Sequence, residues 1–135
     1  MIAKLLALFG LGGRDHDGNV LASDARALIN MLHGQHSAVN LAKIAGLARQ
    51  QIDEVHRRGL DDPQYYKRGV THLTELNKAA RSRRDNIAWS GITLAIIYIK
   101  AEMLGEYGAS ARNAIDGYFE KWEHVYQADN PETGA

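Results

Sequence analysis

The chain has 135 residues, with 16 Lys and Arg against 16 Asp and Glu, 45% hydrophobic residues, two prolines and no cysteine. The balanced charge removes any global field that would draw it to nucleic acid or to an anionic membrane, and the missing thiols exclude disulfides, zinc-thiolate sites, iron-sulfur clusters and cysteine nucleophiles. What remains is the composition of one helical domain with a real core, because a chain of this length buries roughly two thirds of its unfolded surface.

Residues 1–13 (MIAKLLALFGLGG) join Lys4 to an apolar stretch, as a secretion leader does, but Arg14, Asp15, His16 and Asp17 stand where a short neutral segment belongs. The reading is instead a helix from about Ile2 to Phe9 and a charged, Gly-rich loop through Asn19. Ser23 is expected to cap a short helix that Gly34 ends. These first 34 residues are read as a helix-loop-helix appendage.

From Ser37, the apolar positions Leu41, Ala45, Ala48, Ile52 and Val55 recur at steps of four and three, the spacing of a bundle seam, and Gly59 stops that helix. Asp62 and Pro63 supply the N-cap and first-turn proline of the next, whose inner face is Tyr66, Val70, Leu73, Leu76 and Ala80. It ends near Arg81 to Arg84. Asp85 or Asn86 caps a further segment that is apolar on nearly every face, including Ile87, Trp89, Ile92, Leu94, Ile96, Ile97 and Ile99. Its apolar run of 13 residues is too short to cross a bilayer core of ~30 Å, so no membrane span is expected. Such a helix is central or meets a second subunit, and Ala88, Gly91 and Ala95 would let another helix approach closely. Gly105 and Gly108 break it, Ser110 opens a last helix along Ala111, Ile115, Tyr118, Trp122 and Val125, and the residues from Asp129 onward read as a tail.

Helices joined by short loops predict a single all-α domain, a four-helix up-down bundle over about 37–127 with the N-terminal helix-loop-helix over about 1–34. The most specific local pattern lies at Gly13 to Asp24. Asp15, Asp17 and Asn19 fall at the third, fifth and seventh positions of a calcium loop, Gly18 at its turn glycine, Val20 at the apolar eighth and Asp24 at the twelfth. On these residues the segment resembles the loop of the EF-hand family. The resemblance implies calcium as ligand, with Asp15, Asp17, Asn19 and Asp24 as the metal-binding residues. It departs at Gly13, where an acidic first ligand belongs, and at Asp24, which is shorter than the usual Glu, so it implies a weak site. The residues by themselves also read as a polar turn with Gly18 at positive φ and Asp24 in the first turn of a helix.

Other candidates carry less. His33 and His36 are separated by Gly34, while Asp53 and His56, and Glu120 and His124, share helix faces. A di-iron bundle needs two Glu-x-x-His pairs and two further glutamates, and this chain has a single Asp-x-x-His. Arg68 and His72 come one residue short of the Arg-x4-His spacing of HEPN-type ribonucleases. No Gly-x-Ser-x-Gly occurs, and Gly10 to Gly13 lack the Lys of a P-loop. No catalytic set and no cofactor are expected, with calcium the one ion to consider.

Residues 57–84 carry eight bases against three acids, and 101–135 carry two against seven. The bases form two groups, Arg57, Arg58, Lys67 and Arg68, then Arg81, Arg83 and Arg84, which an up-down bundle sets ~27 Å apart at 1.5 Å per residue. That is a poor nucleic-acid stripe. Glu120, Glu123 and Asp129 are expected to return beside the second group and neutralise it. The functional expectation is a small, cytoplasmic, non-enzymatic protein of the adaptor, regulatory, immunity or assembly-factor type. Its expected partner is another protein or a second copy forming a homo-oligomer through the apolar helix at 85–104. The alternative is a calcium-responsive module built on residues 13–24.

Overall fold

The computed structural model describes residues 18–59 and 63–129. The helix expected at Ile2 to Phe9, the cap at Asp62 and the tail beyond Asp129 lie outside them. The described chain runs α1 (Gly18–Gln35), α2 (Ala38–Gly59), α3 (Pro63–Ser82), α4 (Asn86–Met103), a 3-10 turn (Gly105–Gly108) and α5 (Ala109–Asp129). The fold is all-α, and among the described residues no helix is long and apolar enough to cross a membrane.

Successive helices alternate in direction. Gly18 meets Tyr107 just before α5 and His33 meets Trp122 within it, so α1 and α5 run parallel. Gly91 meets Ile44 and Leu47, and Glu102 meets His56, so α2 and α4 run parallel too. Between them α3 is antiparallel to α2, since Val55 meets Gly69 and Gly59 meets Tyr66.

The core sits around α4, whose residues from Ala88 to Ile97 are all buried and which packs on all four other helices. Full burial of each isoleucine contributes about 1.5–3 kcal/mol. The seam predicted for α2 is buried as expected, from Leu41 to Val55. The last helix is tied to α2 by Tyr118, whose buried hydroxyl donates to the Leu41 carbonyl over 2.7 Å. Burial pushes the Tyr118 hydroxyl far above the usual tyrosine range.

Helix α1 is a full member of the bundle and not an outlying piece. Leu21, Ala25, Leu28 and Leu32 form a stripe that is fully buried against α5 and α4. The helix starts at Gly18, more than one turn before Ser23, and its buried stripe starts at Leu21, so Ser23 lies inside the helix and is not its cap. Gly18 also departs from expectation: it is helical, and positive φ among the described residues belongs to Arg84 and Gly105. Its lack of a side chain serves close approach, because a Cβ there would stand 1.7 Å from the Tyr107 carbonyl oxygen.

Two further expectations are corrected. The small-residue face of α4 is filled from within the chain, for a Cβ on Gly91 would stand 2.6 Å from Leu47 and 3.2 Å from the Ile44 carbonyl. A second copy would have to displace α2 to reach it. The acidic last helix also does not go to Arg81, Arg83 and Arg84: Glu123 pairs with Arg49 of α2 at 2.9 Å and Arg83 with its neighbour Asp85 at 3.5 Å. The reason is topological. Helix α3 packs on α2 and α4, α5 packs on α1, α2 and α4, and among the described residues α3 and α5 have no substantial contact.

Candidate functional site

The C-terminal half of α2 and the first turns of α3 enclose an open groove of about 330 Å³. On α2, Gln51, Glu54, Val55 and Arg58 share one face at steps of three and four; on α3, Tyr65, Arg68, Gly69, His72 and Leu73 do the same. Gly69 makes the depression. A Cβ there would stand 3.1 Å from both Val55 methyls, so the two helices close tightly and bury Val55, Gly69 and Leu73 beneath the rim.

The rim is basic and organised around one tyrosine. Arg58 donates to the Tyr65 hydroxyl over 3.2 Å, and the Arg68 guanidinium lies over the Tyr65 ring, 5.4 Å from its centre. Glu54 accepts from the Arg58 Nε at 2.8 Å and also pairs with Arg57. The Tyr65 hydrogen bond, with the nearby Glu54 carboxylate, holds the Arg58 guanidinium more firmly protonated than usual. His72 stands exposed one turn beyond Arg68 on the same face. This arrangement holds one guanidinium on the hydroxyl and another on the ring of Tyr65.

A second polar cluster lies on the opposite side of α2. The His56 Nε2–H donates to the Glu102 carboxylate of α4 over 2.6 Å, and Tyr66 stacks on the His56 ring with centres 6.1 Å apart. Burial, then the Glu102 charge, raises the Tyr66 hydroxyl above its ordinary value. Further along the same side, Tyr98 is pushed up to about 12 by burial and by Asp116. Arg49 lies 4.7 Å from the Phe119 ring centre. Burial opposes its charge, but the hydrogen bond and charge of Glu123 outweigh it and raise its pKa.

The residues singled out by pattern fare differently. Asp15 and Asp17 lie outside the described residues. Asn19 and Asp24 are both within α1, about 140° apart around the helix at 100° per residue; Asn19 is exposed and Asp24 buried. In a helix the Asn19 carbonyl is turned along the axis toward the amide four residues on. Among the described residues, no group of three or more His, Asp or Glu converges as a metal site. Asp53 and His56 do not act as a pair, because His56 is taken by Glu102, and His33 is taken by Trp122 at 2.8 Å and not by His36. Arg68 and His72, by contrast, do reach one surface, together with Arg58 and Tyr65, for which no spacing pattern spoke. The tyrosine two residues into a proline-led helix, facing an arginine in the last turn of the preceding one, was the available signal. The chain matches no family model, no curated protein and no solved structure with which it was compared, so the functional reading rests on this geometry.

Proposed function

We propose that this chain is a small non-enzymatic helical protein that acts through protein-protein contact, as an adaptor, regulator, immunity or assembly factor does, and that the α2–α3 groove is its contact surface. The observation that supports this is Tyr65 braced by Arg58 on its hydroxyl and Arg68 on its face. Tyrosine and arginine dominate the energetics of interfaces, and side chains already held in place lose less entropy on binding. The large apolar residues of α4 from Trp89 to Ile97 lie inside the fold, so they do not supply this surface.

A photo-crosslinking amino acid placed at position 68, compared with one at the exposed position 120 of α5, tests the reading in cells of the source organism. A discrete protein adduct is expected from position 68 and not from 120, and it should weaken when Tyr65 is changed to Ala. Equal labelling from both positions would remove the groove as the contact surface.

A further inference from the structure

We infer that the chain associates head to tail with further copies of itself, the turn at Gly105–Gly108 of one copy docking on the arginine-rich turn between α3 and α4 of the next. This contact uses neither the α2–α3 groove nor the small face of α4.

The first half of the contact is a knob. Tyr107 is 84% exposed, and Met103, four positions before it, is 43% exposed. Glu106 stands exposed beside them and has no ion-pair partner among the described residues. The backbone beneath is clamped on three sides. Arg112 donates to the Gly105 carbonyl over 3.0 Å, Gly108 lies so close to the Ala101 backbone that no Cβ would fit, and Gly18 closes in the same way on the Tyr107 carbonyl. A fixed turn that presents an aromatic ring and a carboxylate loses little entropy on binding.

The second half is its chemical complement. Arg81, Arg83 and Arg84 are all exposed. Arg83 reaches Asp85 at 3.5 Å, while Arg81 and Arg84 have no ion-pair partner among the described residues. Arg84 stands at φ 59, a conformation that suits glycine, so the turn carries this guanidinium against the preference of its backbone. Guanidiniums bind a carboxylate through paired N–H donors and stack on aromatic faces. The arginine turn therefore suits both groups that the knob presents.

Position makes the partner a second copy. The two turns lie at opposite ends of α4, whose 18 residues span ~27 Å at 1.5 Å per residue, so they cannot meet within one chain. With 16 bases against 16 acids, the copies carry no net charge to hold them apart. A contact between two different patches is heterologous, so it repeats from copy to copy as a ring or an open series. Its two small turns place it among weak associations.

The test is sedimentation velocity of the full chain from micromolar to millimolar concentration, in low and in high salt. The average mass is expected to rise with concentration in low salt and to return to the monomer in high salt. Tyr107→Ala should weaken association ~tenfold, and Glu120→Gln should change nothing. Charge exchange gives the sharpest readout. Glu106→Arg, and separately the double variant Arg81→Glu, Arg84→Glu, should each stay monomeric with circular dichroism showing the fold retained. An equimolar mixture of the two should associate again, because each variant then meets the opposite charge. A wild-type chain that stays monomeric to millimolar concentration, whether or not its arginine turn takes up a labelled single-stranded RNA, overturns the proposal. Self-association that survives Tyr107→Ala or either charge reversal undiminished overturns it too, as does a mixture of the folded variants that stays monomeric.

Discussion

The indole N–H of Trp122 donates to Nε2 of His33 over 2.8 Å, linking the last turns of α1 to α5 across 89 positions of sequence. The rings lie 5.5 Å apart and the Lys121 ammonium sits over the Trp122 ring. The bond requires a His33 that is unprotonated at Nε2. Burial first, and the Lys121 charge second, hold the His33 pKa below 6.5.

This latch has a definite pH dependence. In the window from 6.5 down to the lowered folded value, the unfolded chain binds more protons at this position than the folded one. Stability is therefore present above that window and is lost as pH falls through it. The melting temperature is expected to fall between about pH 7.5 and about pH 5.5 more in the wild type than in His33→Gln, whose side chain accepts from the indole without titrating. An identical drop in the two proteins would place the pH response elsewhere.

Helix α4 is expected to dominate stability. Ile97→Ala should cost about 2–5 kcal/mol in denaturant unfolding, because a fully buried side chain leaves both lost transfer energy and a cavity. The exposed Tyr107→Ala should stay within about 0.5 kcal/mol of wild type. Similar values for both would mean that α4 is not central.

Helices α3 and α4 share a buried polar contact in which Asn77 donates to the Thr93 hydroxyl over 2.8 Å, and that hydroxyl donates to the Trp89 carbonyl over 2.7 Å. Asn77→Ala should cost about 1–3 kcal/mol. In a cycle with Thr93→Val, the double variant should cost less than the sum of the singles, with a coupling of about 0.5–3 kcal/mol. Strict additivity, read from urea midpoints, would show the two residues to be energetically independent.

The turn between α3 and α4 carries a left-handed arginine, Arg84 at φ 59, with the Asp85 amide bonded to the Ala80 carbonyl at 2.9 Å. Glycine is the residue that suits this C-terminal helix motif. Arg84→Gly is therefore expected to raise stability by about 1 kcal/mol. Gly105 has φ 60 with open space around its Cβ position, so Gly105→Ala should lose a comparable amount through the backbone alone. A fall in melting temperature for Arg84→Gly would show that the arginine side chain contributes more than the backbone strain removes.

What was legible in the sequence is what local spacing controls. The steps from Leu41 to Val55 place one stripe along α2, Asp85, one of the two residues expected to cap α4, accepts from the Ala88 amide at 3.1 Å, and the uniformly apolar α4 had to be enclosed. Each of these depends on residues within a turn or two, where helix geometry dictates the neighbour. The tertiary structure alone decided that Glu123 belongs to Arg49, that Glu102 belongs to His56, and that the small face at Gly91 is closed by α2. It likewise decided that Tyr65 stands between Arg58 and Arg68, because α2 and α3 had first to dock at Gly69 for those side chains to converge. Helical periodicity specifies which way a side chain points from its own axis. Which side chain it meets is set by the packing of one helix against another, and that depends on the shape of the whole core.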